Sequence, residues 1–133
     1  MIQYSDILTA AERIRPYIHR TPVLTSRALD AMFDAELFFK CENLQKVGAF
    51  KARGACNAVL QLDDATAARG VITHSSGNHA QALAYAARLR GIRCTIVMPN
   101  NAPMVKREAV AEYGAEIVLC EATLESRIST MET

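Results

Sequence analysis

The chain has 133 residues, enough for one domain with a hydrophobic core. Half of its residues are hydrophobic and its mean hydropathy is +0.04, a composition that excludes a disordered chain, and no apolar run approaches membrane-spanning length. A formal net charge of +1, sparse aromatics and no Trp exclude nucleic-acid or anionic-membrane binding driven by bulk charge or base stacking.

From the N-terminus, Ser5 or Asp6 can cap an amphipathic helix carrying Ile7, Leu8, Ala11 and Ile14, with Pro16 near its end. Thr21-Pro22-Val23-Leu24 reads as extended, because the residue before a proline avoids the helical region. Ser26 caps a short helix through Arg27–Met32. Glu36–Glu42 reads as a strand, Asn43–Gly48 as a loop, and about Ala49–Leu62 as a helix with Gly54 as its weak point. The second half has a clearer rhythm. Gly70–His74 is a strand, Asn78–Arg90 an alanine-rich helix stopped by Gly91, and Ile92–Met98 a strand. Pro99–Ala102 is a turn, Pro103 opens a helix that runs to Tyr113, and Glu116–Cys120 is a strand. Glu121–Thr133 has few apolar anchors but can start another helix. This β-α-β-α-β order predicts an α/β fold with a parallel open sheet and packed helices. A soft boundary falls near Gly70. A sheet left open on one side is an unfavourable place for a domain to stop, so a larger parent fold is expected.

Four cysteines, Cys41, Cys56, Cys94 and Cys120, contain no C-x-x-C pair and read as buried free thiols in a reducing compartment. Met1–Asp6 lacks a basic region followed by an apolar core, so no signal peptide is expected and the location is read as cytoplasmic. His74 and His79 lack a third ligand, and no metal site is expected. There is no G-x-G-x-x-G or Walker sequence for a nucleotide.

Two runs carry the chemistry. Ser75-Ser76-Gly77-Asn78-His79 joins a strand to a helix start, at the sheet edge where open α/β folds bind ligands. Free N–H groups there favour an anion, two hydroxyls and an amide add donors, and Gly77 admits close backbone approach. A carboxylate fits; simple helix capping by Ser75, Ser76 or Asn78 is the alternative. In the other run, Gly48-Ala49-Phe50-Lys51-Ala52-Arg53, Lys51 offers an amine able to bond an aldehyde. Phe50 and Ala49 could desolvate it, and Lys46 and Arg53 could make its setting electropositive. A solvated helix lysine is the alternative, and the later loop is what argues against it.

Glu42–Ala55 resembles the cofactor-lysine signature of the serine/threonine dehydratases, within the tryptophan-synthase-β-like class of pyridoxal-phosphate enzymes, a group that includes serine racemases. Thr73–Gln81 resembles the substrate-carboxylate loop of that family. Thr21–Ser26, Met98-Pro99, Tyr113–Ala115 and Glu121 also match, so the likeness runs through nearly the whole chain at consistent spacing.

The resemblance implies that Lys51 holds pyridoxal 5'-phosphate through its amine and then serves as base at the substrate α-carbon. Phe50 would pack near the cofactor ring and Asn78 would bond its phenolic oxygen. Ser75, Ser76, Asn78 and His79 would bind the carboxylate of a small amino-acid substrate, serine or threonine. Serine at position 76, where many threonine dehydratases carry alanine, admits serine racemisation as the alternative reaction, with Ser76 as the opposite-face proton donor. The implied fold is an incomplete two-domain one. Residues 1–69 would be the N-terminal part of a large cofactor domain and 70–133 most of a small α/β domain, with the remainder of the large domain absent. The six glycines include no adjacent pair, so the sequence holds no glycine-rich phosphate loop. A catalytically inactive module pairing with a full-length subunit is therefore a further expectation. By analogy the whole protein would be a homo-oligomer.

Overall fold

The computed structural model describes residues 1–132. Helix α1 (Tyr4–Ile14) leads through a 3₁₀ turn at Arg15–Tyr17 into β1 (Val23–Leu24). Its N-cap is Gln3 rather than Ser5 or Asp6. Asp6 lies three residues further on, and its carboxylate accepts the Gln3 N–H at 2.8 Å. Helix α2 (Arg27–Phe33) starts at Ser26, whose hydroxyl accepts the Leu29 N–H. The strand expected over Glu36–Glu42 shrinks to β2 (Phe39–Lys40), because its antiparallel partner β1 supplies only two residues to pair with.

Two 3₁₀ turns, Glu42–Leu44 and Lys46–Gly48, replace the expected loop, and α3 follows (Lys51–Leu60). A short helix α4 (Asp64–Ala68) was not anticipated; Asp63 caps it by accepting the Thr66 N–H at 2.8 Å. Strand β3 (Val71–His74), helix α5 (Asn78–Arg90), strand β4 (Cys94–Pro99), helix α6 (Met104–Ala111), strand β5 (Glu116–Cys120) and helix α7 (Leu124–Glu132) complete the order. Pro103 sits one position ahead of α6, as its N-cap, and Gly91 ends α5 in the left-handed conformation at φ +70°. Thr133 lies outside the described residues.

The three longer strands form a parallel sheet in the order β3-β4-β5, with Val71 opposite Cys94 and Ile96 opposite Ile117. The central strand is the most buried, with Ile96, Val97 and Met98 inaccessible to solvent. Helix α5 lays a small-residue face onto it: Ala80, Ala82, Ala84, Ala86 and Ala87 are all buried. Helix α3 packs on α5 more extensively than any other pair of elements, adding Ala55, Cys56 and Val59 to the same core. Alanine on both sides lets the helix axes approach closely, which fixes where each helix begins. Cys56, Cys94 and Cys120 are buried free thiols, and Cys41 is half-buried. Among the described residues, no helix is long and apolar enough to cross a membrane.

Gly70 marks the tightest approach in the sheet's first turn. It adopts φ +84°, and an added Cβ would lie 2.9 Å from the Arg93 carbonyl oxygen, which accepts the Val71 N–H at 3.0 Å. Gly70→Ala combines a left-handed backbone with a clash against backbone and is expected to destabilise the chain by about 1–3 kcal/mol. Urea unfolding checks this: the midpoint should fall at unchanged m-value.

Candidate active site

The chemistry-bearing residues come from the starts of two packed helices. Lys51 is the first residue of α3, and Asn78 the first of α5. The Lys51 ammonium lies 5.4 Å from the centroid of the Phe50 ring, and both residues are exposed. The amine is close enough to act on His79: burial first, then the Lys51 charge, then His74 push the His79 imidazole below its ordinary pKa. Lys51, His74 and His79 thus share one electrostatic neighbourhood at the carboxyl edge of β3. Among the described residues Lys51 forms no ion pair, so no carboxylate competes for its charge.

The loop between β3 and α5 is arranged to leave the helix start open. The Ser75 N–H continues the sheet by donating to the Val97 carbonyl at 3.1 Å, and the Ser75 hydroxyl accepts the Gly77 N–H at 3.3 Å. The N-cap of α5 is Gly77, and no side chain caps it. Capping by Ser75, Ser76 or Asn78 is therefore not what these side chains do. The first N–H groups of α5 have no intrahelical acceptors, and the helix dipole adds positive potential there. A Cβ built on Gly77 meets nothing within 4 Å, so space lies beside the backbone. Ser76 is half-buried, and its hydroxyl has no hydrogen-bond partner among the described residues; Asn78 is exposed with its amide equally unengaged. An anion of carboxylate size next to an amine is what this ledge can hold.

The site is a ledge rather than a deep cavity. Two concavities lie elsewhere, one of about 570 Å³ against Leu124 and Ile128 of α7 and one of about 560 Å³ between α1 and β2, lined by Ile14, Ile18, Lys40 and Arg53. The donors and the amine, not the depth, mark this surface as the candidate site.

Sequence reading missed the support under Lys51. Arg53 was expected to make the lysine's setting electropositive. Its guanidinium instead forks onto Glu42, Nε to Oε2 at 2.8 Å and Nη2 to Oε1 at 2.7 Å. The Thr21 hydroxyl donates to the same Oε1 at 2.6 Å. Hydrogen bonding from Arg53 leads the causes that lower the Glu42 carboxyl to about 2, so the fork stays ionised at every ordinary pH. Gln45, only 4 % exposed, takes the His19 and Lys46 N–H groups on Oε1 at 2.8 and 2.9 Å and donates to the His19 carbonyl at 2.8 Å. Apart from the adjacent Lys46, these partners lie 11 to 26 residues apart in the chain, and an Arg13–Asn57 bond at 2.5 Å nearby spans 44. Only the pattern Glu42-Asn43-Leu44-Gln45 inside the resembling run hinted at them.

The residues present suit an aldehyde cofactor at one end: an unpaired amine, an aromatic ring beside it, and the amide of Asn78 at the start of the packed helix α5. The comparisons agree. A family-wide profile described as pyridoxal-phosphate dependent enzyme matches residues 14–133. The chain is 58 % identical over 127 residues to a β-hydroxyaspartate dehydratase of Paracoccus denitrificans (strain Pd 1222), covering 96 % of this chain and 40 % of that protein. It is 52 % identical over 128 residues to a serine racemase of Dictyostelium discoideum, again covering 96 % and 40 %. The solved structure of maize serine racemase superposes with a TM-score of 0.93 at 53 % identity, covering 96 % of this chain and 39 % of that one. The chain thus spans about 40 % of the length of the curated relatives it matches, aligning with enzymes of the tryptophan-synthase-β-like fold. From the Lys51 and Ser75–His79 runs, the fold they sit on and this match, the chain belongs to the family of pyridoxal-phosphate-dependent enzymes.

Proposed function

We propose that the chain carries the amine and carboxylate-binding parts of a pyridoxal-phosphate-dependent ammonia-lyase. Its substrates are small 3-hydroxy amino acids, serine or threonine first, and its products an oxo-acid and ammonia. The observation that supports this best is the pairing of Lys51 with the uncapped start of α5, within electrostatic reach through His79. The name of the β-hydroxyaspartate relative extends the substrate class to hydroxy acids with a second carboxylate, on the same elimination chemistry.

In this reading the cofactor, when bound, supplies the electron sink for the electrons of the α-carbon. The chain's own residues bind and move protons. The α5 N–H groups with Ser75, Ser76, Asn78 and His79 hold the substrate carboxylate. Phe50 would shield one side of the amine, Asn78 would bond the cofactor's phenolic oxygen, and Lys51 would take the α-proton. With the cofactor bound, this would allow the 3-hydroxyl, protonated, to leave as water; the released enamine would take up water to give the oxo-acid and ammonia. Desolvation and the Lys51 charge lower the His79 pKa, which favours the neutral imidazole, and its ring N–H can donate to an anion. Residues 1–69 would serve a large cofactor domain and 70–133 a small one. With no glycine-rich loop among them to grip the phosphate, these residues alone would hold the group weakly.

The half-buried, unengaged hydroxyl of Ser76 favours serine racemisation as a second reading. Inversion needs a proton donor on the face opposite the lysine, and a hydroxyl on this loop is a chemically competent one.

Two substitutions in the whole protein test these roles. Lys51→Ala should abolish covalent capture of the cofactor and lower kcat by at least about a thousandfold. Spectral titration with the cofactor and keto-acid production measure both, and retained capture removes the assignment. Ser76→Ala should suppress racemisation of serine more strongly than its elimination. Chiral analysis beside keto-acid assay separates the two, and an equal fall in both rates contradicts the opposite-face role.

A further inference from the structure

We propose that Gln45 is the positioning residue for Lys51. Its buried amide holds the segment before α3 in a left-handed turn that sets where the helix starts, and so where the amine points. The inference deepens the reading of Lys51 given above and rests on it.

The turn needs holding. Val47 and Gly48 both adopt left-handed backbone, φ +56° and φ +64°. Glycine accepts this readily, whereas a β-branched valine there is strained and persists only where its surroundings over-determine it. The surroundings are specific. The Gln45 carboxamide satisfies both the N–H and the C=O of His19, in the manner of a neighbouring strand, and also takes the Lys46 N–H. The Gln45 carbonyl accepts the Gly48 N–H at 2.9 Å, and the Lys46 carbonyl the Ala49 N–H at 3.4 Å. The imidazole Nδ1 of His19 adds a bond to the Leu44 carbonyl at 3.0 Å. Lys51 follows Ala49 by two residues, so a rotation in this turn is transmitted to it directly. The Glu42–Arg53 fork closes the same stretch from its two ends but leaves its interior conformation open. Gln45 is the group that reaches the interior.

The test uses the 133-residue chain with pyridoxal phosphate, a hydride reductant to trap the amine adduct, and peptide mass mapping. Lys106 on α6 serves as the internal reference amine. In the unaltered chain Lys51 should be trapped in preference to Lys106. Gln45→Ala should lower that ratio about tenfold, since small misplacements of a reacting group carry penalties of that order and above. It should also speed amide exchange at Lys46, Gly48 and Ala49 while β3–β5 stay protected. An unchanged ratio, or unchanged protection of those three amides, overturns the proposal. No preference for Lys51 in the unaltered chain, with the loop still released by Gln45→Ala, instead overturns the Lys51 reading and with it the purpose proposed for the turn. Should Gln45→Ala fail to fold, Gln45→Glu decides. It keeps both accepted bonds and loses only the donated one, and protonation below about pH 4.3 restores a donor. The Lys46 and Gly48 amide resonances of this variant should then move back toward their original positions; failure to return overturns the proposal as well.

Discussion

The constraint on which the site depends is the close approach of α3 and α5. The packing face is built mainly from small residues rather than leucine. Ala55 and Cys56 on one side and the alanines of α5 on the other remove the bulk that would hold the axes apart. The same contact buries the helices against Ile96 and Met98 of the central strand, so the geometry of the site and the stability of the core share one origin. Van der Waals contact in such a face is sensitive to a single methylene, which couples the placement of Lys51 to residues that never touch a ligand.

Helix starts are the natural place to put this chemistry. A helix interior has satisfied its own backbone, whereas its first turn presents donors in search of an acceptor. The chain leaves the α5 start without a side-chain cap, although two serines and an asparagine stand beside it. Ser75 spends its hydroxyl on Gly77 and its N–H on Val97, which shapes the loop and extends the sheet. At the first turn of α4, where no ligand is in question, Asp63 caps in the ordinary way.

Much of this was legible in the residues. The bounds of α5 and β5 follow from local signals: an alanine-rich periodic run ended by a left-handed Gly91, and a short β-branched run between turns. The parallel order followed from the alternation of types, and the resemblance carried the cofactor. What local reasoning could not reach was set by distant partners. The run Glu36–Glu42 has strand character along its length, yet Phe38 stays exposed and only Phe39–Lys40 pair, because β1 offers no more backbone to meet. Helix α4 carried a readable cap, Asp63 three residues before Thr66, but its five residues hold too little periodicity to rise above a loop. The Glu42–Arg53 and Gln45–His19 bonds join residues 11 and 26 apart, and no periodicity within an element encodes them.

The charge arrangement around the lysine follows from those distant bonds. Arg53 and Lys51 lie two residues apart on one helix, and an unpaired Arg53 would add a second cation to the turn that carries the amine. Glu42 removes it: the fork consumes the guanidinium's directional donors, and the ionised carboxyl, held down to about 2, cancels its charge at every pH where the protein works. Desolvation first, then the Lys51 charge, lower the pKa of the His79 imidazole below its ordinary value. The Lys51 ammonium and the first N–H groups of α5 both contribute positive potential over the ledge. The α5 backbone is fixed in place by its buried alanine face rather than by flexible ion pairs, which is the condition for recognising an anion by position as well as by charge.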